Sequence, residues 1–206
     1  MKRNLLLFIT VFCMMFTFTS CKKQKKDAPA PQPMTELVVE HLISMDREAM
    51  NLKYANKYNW YETSVVLVNY LDEENNGEIS GVSNIFQYAA TNDDSNVVMF
   101  THVKDTTAVE EHWGALWVGD MSLNNEEIKL TFKEAFDKLM QTNIVKPHSR
   151  QCVLRKELGP KPNVAPQYIF GNVKDHVYVD AKTGNVSKTN PVYEGFEKLQ
   201  QTPTWP

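Results

Sequence analysis

The chain has 206 residues, 42% of them hydrophobic and 23% charged, which is enough to bury one sizeable core. From Ala28 onward 16 basic side chains stand against 24 acidic ones, a net of −8, which excludes a nucleic-acid binder built on a basic face. Five scattered histidines and three cysteines form no H-x-x-x-H or C-x-x-C spacing, so no metal or cofactor is expected.

Lys2 and Arg3 open an apolar run from Leu5 to Phe18, closed by Thr19, Ser20 and Cys21. A basic start, an apolar stretch and a small-residue site mark a secretory signal over residues 1–20. The run is too short for a retained span of about 20 residues. A cysteine directly after that site resembles a bacterial lipoprotein signal, which implies lipidation of Cys21 as the first mature residue. Phe18 stands where leucine is usual in such signals. Acyl chains would then hold the protein at the membrane, each buried methylene adding about 0.8 kcal/mol. Residues 21–34 follow as a tether: Lys22, Lys23, Lys25 and Lys26 suit anionic head groups, and Pro29, Pro31 and Pro33 favour extended backbone. Lysines, rather than acidic residues, after Cys21 point to a periplasm-facing anchor in the outer membrane of a bacterial envelope.

Residues 35–125 read as an N-terminal α+β region. A helix is expected over 35–54, capped by Thr35, with Val38, Leu42, Met45, Ala49 and Leu52 as its apolar face. A strand follows over 61–71, around Val65-Val66-Leu67-Val68. Asn76-Gly77 signals a hairpin into a partner strand over 79–89. Asp72, Glu74 and Asn76 echo the first half of a calcium loop, but Ser83 occupies the twelfth position where a bidentate Glu belongs, so the segment reads as a hairpin tip. After a turn at Asn92-Asp93-Asp94, strands are expected at 97–100 and 112–118, completing a four-strand meander. His102 and His112 read as exposed strand histidines.

Residues 126–206 begin with the clearest helix. Thr131-Phe132-Lys133-Glu134 is a capping box, and Phe132, Ala135, Phe136, Leu139 and Met140 form one stripe. Three strands are expected at 150–158, 167–171 and 176–180, then a turn at Lys182-Thr183-Gly184-Asn185. Cys152, in the apolar run Gln151-Cys152-Val153-Leu154, reads as a buried inert thiol. With Cys13 in the signal and Cys21 lipidated it has no partner for a disulfide. Asn190-Pro191 is expected to start a short helix with Tyr193, Phe196 and Leu199 on its apolar face.

The order of one helix and three strands, opened by Leu130-Thr131-Phe132-Lys133-Glu134-Ala135 and closed by Val177-Tyr178-Val179-Asp180-Ala181-Lys182-Thr183-Gly184-Asn185-Val186, resembles a PepSY domain. Tyr168-Ile169-Phe170 fits its middle strand, and the insertion Gly159-Pro160-Lys161-Pro162 departs from it. The first half has a similar grammar. The expected fold is therefore α+β, an antiparallel sheet with packed helices, as one PepSY-like unit or two. The resemblance implies an envelope module that binds or restrains other proteins, and it supplies no catalytic residue. Asp180 and Gly184 match its motif as turn formers.

Four residues stand out for recognition. Trp113 and Trp117, on one side of the expected strand 112–118, would form an aromatic platform, or else core beneath a helix. Pro160 and Pro162 stiffen the insertion, either as partner surface or as a passive loop. No G-x-S-x-G, P-loop or dinucleotide glycine pattern occurs. The expected function is thus a non-enzymatic, lipid-anchored envelope protein that binds a protein or peptide, a peptidase among the candidates. The alternatives are a lipoprotein for small ligands or glycans, and an envelope hydrolase with dispersed catalytic residues.

Overall fold

A computed structural model describes residues 37–88, 95–118 and 120–196. The signal, Cys21, the tether, the cap at Thr35, the turn at Asn92-Asp93-Asp94 and Leu199 lie outside the described residues. The elements run α1 (Val39–Tyr54), β1 (Tyr58–Leu67), β2 (Ile79–Tyr88), β3 (Asn96–Val103), β4 (Thr106–Trp113), β5 (Asp120–Met121), α2 (Phe132–Met140), β6 (Gln151–Glu157), β7 (Gln167–Phe170), β8 (Val177–Asp180) and β9 (Val186–Ser187). The fold is α+β. Among the described residues nine strands form one antiparallel sheet in the order β4-β3-β2-β1-β6-β7-β8-β9, with β5 pairing the end of β6.

Each half contributes a helix and then a run of antiparallel strands, and the two runs meet through their first strands. β1 pairs with β6 from Glu62↔Arg155 to Val66↔Gln151, centred on Ser64↔Val153. α1 lies on β1 and β2, and α2 packs on β8. One continuous core runs beneath both, from Leu42, Met50, Val65 and Phe86 to Phe136, Leu139, Leu154 and Phe170. Glu40 joins the helices: its Oε1 accepts from the Phe132 N–H at 2.6 Å, at the positive end of α2.

α2 has the expected capping box: Thr131 Oγ1 accepts from the Glu134 N–H while the Glu134 carboxylate accepts from the Thr131 N–H at 2.7 Å. Phe132, Ala135, Phe136 and Leu139 are buried as expected. Cys152 is a free, buried thiol whose pKa burial pushes well up. At the closing turn Gly184 has φ +76° and Asp180 Oδ1 accepts from the N–H groups of Lys182 and Thr183 at 2.9 and 2.7 Å.

Four expectations need correction. α1 starts at Val39, its N-cap Val38 makes no side-chain bond, and its buried face is Val39, Leu42, Ile43, Asp46 and Met50. Val38, Met45 and Leu52 of the expected stripe are exposed, because the true core face is centred on a carboxylate that a hydrophobic pattern assigns to solvent. β1 begins three residues before the expected start and ends at Leu67, so 68–78 is a long connection, folded by Asn75 and Asn76 side chains that accept from the N–H groups of Gly77 and Glu78. The fourth strand is Thr106–Trp113, and 114–118 is loop. The segment after Asn190-Pro191 is a series of turns anchored by buried Val192, not a helix.

Candidate partner-binding surface

β4 pairs with β3 in eight unbroken steps, from Val103↔Thr106 to Asn96↔Trp113, around the two-residue turn Lys104-Asp105. Among the described residues it is the last strand of the sheet on that side. Edge strands present unpaired N–H and C=O groups, and proteins blunt them with prolines, bulges or very short strands. The opposite edge is blunted: β9 has two residues. β4 has eight, with neither proline nor bulge. Its side chains stand in two rows. Thr107, Val109, Glu111 and Trp113 share the face that carries α1, and Thr106, Ala108, Glu110 and His112 share the other. Val109 is 51% exposed and Trp113 is 62% exposed, because α1 packs mainly on β1 and β2.

Two residues of that first row, Glu111 and Thr107, tie it to α1, Glu111 directly through Lys53 and Tyr54. Lys53 hydrogen-bonds Glu111, which draws the Glu111 carboxyl below and the Lys53 ammonium above their ordinary values. Thr107 ends a buried relay. Trp60 Nε1–H donates to Thr63 Oγ1 at 3.1 Å, the Thr63 hydroxyl to Asn84 Oδ1 at 2.5 Å, and Asn84 Nδ2 to Asp46 Oδ2 at 2.7 Å. His102 Nε2 lies 2.9 Å from Asp46 Oδ2, and His102 Nδ1 lies 3.0 Å from Thr107 Oγ1. A proton on Nε2 faces the Asp46 carboxylate, so the ring bridges Asp46 and Thr107. Asp46 is 3% and His102 1% exposed, so His102 is not the solvent-facing histidine expected from sequence. Burial at this depth is tolerated because every member has a partner. The chain α1–β2–β3–β4 is thereby pinned in register.

The other sheet face carries a charged patch across the seam between the halves. Glu62 sits directly opposite Arg155, and Asp120 opposite Glu157. Burial pushes both the Glu62 and Asp120 carboxyls up, against the pull of Arg155. Ser64 donates to Glu62 at 2.8 Å, Trp117 Nε1–H to Asp120 at 3.2 Å, and Asn190 to Glu157 at 2.5 Å. Burial also raises the Tyr178 hydroxyl to about 12 and lowers His176. Among the described residues no group of three His, Cys, Asp or Glu side chains is placed to hold a metal ion.

The residues singled out from sequence are dispersed. Trp113 ends β4, whereas Trp117 lies in the following loop, its N–H on Gln87 and its indole on Asp120, so the two do not form a platform on one strand. Trp113 is not core either. Pro160 and Pro162 lie in a loop fastened to the C-terminal turns by the Lys161 N–H on the Val192 carbonyl at 3.2 Å and a Lys161–Glu194 ion pair at 2.5 Å. Cys21 lies outside the described residues. The open edge went unseen in the sequence because a strand without a buried face has no apolar alternation. The available signal was the β-branched pair Thr106-Thr107, separated from Val103 by the two residues Lys104 and Asp105. No family model, curated protein or solved structure matches this chain.

Proposed function

We propose that this chain is a lipid-anchored envelope protein that binds a protein or peptide partner along the open edge of its sheet and catalyses no reaction. The observation that carries this reading is the eight-residue edge strand β4, held rigid from behind and exposed in front. Such an edge recognises extended chain through main-chain hydrogen bonds, with alternate side chains giving specificity. The lipoprotein-like leader supports the address, with Cys21 lipidated and the domain facing the periplasm. The paired helix-then-strands order in both halves is compatible with two PepSY-like units joined at β1 and β6, and a peptidase is a fitting partner for such a module.

Two measurements test the proposal. Mass spectrometry of membrane-extracted protein should find Cys21 acylated at the mature N-terminus; an unmodified Cys21 inside a longer chain contradicts the anchor. Capture from envelope extracts should be lost when Val109→Lys places a charge on the edge, with the melt unchanged. Capture by the variant at the wild-type level contradicts the edge. A hydrolase reading draws on the raised carboxyls of Glu62 and Asp120; turnover of a substrate by wild type that Glu62→Gln abolishes would replace the binding reading.

A further inference from the structure

The chemistry of the open edge narrows its occupant. β4 carries Glu110 and Glu111 and no Lys or Arg. The chain from Ala28 onward carries a net −8. Pairing two β4 strands about Glu110 would set two Glu110 carboxylates against each other, and like charges on neighbouring strands are destabilising. The edge is therefore guarded against a second copy and open to a strand of opposite sign. The two rows differ further. On the α1 side the Glu111 charge is matched by Lys53, which leaves Val109 and Trp113 as an apolar track. On the other side Glu110 is paired, among the described residues, with His112 alone, 3.7 Å away.

We propose that the occupant is an extended cationic strand of another protein, alternating Lys or Arg with apolar residues and adding antiparallel to β4. Its apolar side chains lie along Val109 and Trp113, and its cations meet Glu110. Antiparallel addition continues the geometry of the whole sheet. This inference rests on the edge-binding reading above and adds the sign and pattern of the partner.

The test uses the full chain in detergent and three capped synthetic peptides, alternating valine with lysine, with glutamate or with serine. Hydrogen exchange is followed across the protein. The lysine peptide should slow exchange of the 106–113 amides, and its binding should weaken with salt. Glu110→Lys, which touches nothing in the core, should weaken it about tenfold while the melt stays unchanged. Equal protection of β4 by all three peptides would overturn the charge selection and leave edge binding standing. Protection elsewhere, or none, would overturn the proposal and count against the edge itself. Protection of 106–113 that rises with protein concentration alone, together with a doubled mass, would make a second copy the occupant and overturn it too.

Discussion

The two halves of the sheet repeat one order of elements but solve their interiors and edges differently. The C-terminal half is apolar and aromatic inside: Phe132, Phe136, Tyr168 and Phe170 pack with ring centroids 6.2 to 6.5 Å apart. Its helix is fully capped and its edge strand is two residues long. The N-terminal half buries an Asp–His pair and two amide or hydroxyl partners beneath a helix with no side-chain cap, and ends in eight open residues. One half is packed by aromatic side chains. The other places a polar frame behind an exposed strand, where apolar packing alone would leave register unspecified.

The largest effects should come from breaking each interior. Phe136→Ala should cost about 3–5 kcal/mol, the range for emptying an aromatic site in a core. Asp46→Ala should cost about as much, because it leaves the buried His102 Nε2 and Asn84 Nδ2 without their acceptor. Urea melts of the two variants measure this. If Asp46→Ala loses less than about 1 kcal/mol, the relay is not the frame of the N-terminal half. Hydrogen exchange separates the two further: Asp46→Ala should loosen the amides of β3 and β4 well before those of β7 and β8.

At the seam the difference becomes a pH effect. Burial raises the Glu62 and Asp120 carboxyls in the folded chain. Their contribution is complete below the unfolded values of about 4.3 and 3.9, and it is lost as pH rises through the higher folded values. Glu62→Gln should therefore flatten the fall in melting temperature as pH climbs above about 4. An unchanged slope would mean that the carboxyl is fully solvated. Glu111 and Glu134 act in the opposite sense, since hydrogen bonds lower them, and both are too exposed to dominate the profile.

The helix caps give the smaller contrasts. Thr131→Ala should cost about 1 kcal/mol, by removing the capping box of α2. Val38→Ser should do the reverse for α1, adding about 0.5–1 kcal/mol, because Val38 already has the extended backbone of an N-cap. Lys133→Ala should shift the melt by less than about 0.5 kcal/mol, since its bond to Asp137 is an exposed helix pair. A larger loss at Lys133 than at Thr131 would contradict this order.

The same contrast decides what could be read from the sequence. The C-terminal half was legible because its signals are local: a capping box, a stripe at 132, 135, 136 and 139, and a turn with glycine at positive φ. The N-terminal half hides its logic in long-range partners. Asp46 looks like a solvent residue until His102, 56 positions away, arrives beside it. β4 looks like a loop until β3 supplies its hydrogen bonds, and Trp113 looked like part of a following strand because the true strand has no apolar face of its own. Leu52 and Met45 misled for the converse reason: they are apolar, regularly spaced and exposed.

The central claim is that recognition belongs to the β4 edge, and position-specific photocrosslinking in cells tests it most directly. A photoreactive residue is placed in turn at Glu110 on the open edge and at Ser187 on the short edge of full-length protein. The account predicts a discrete crosslinked partner from position 110 and none from position 187. A partner crosslinked from 187 and absent from 110 would contradict it.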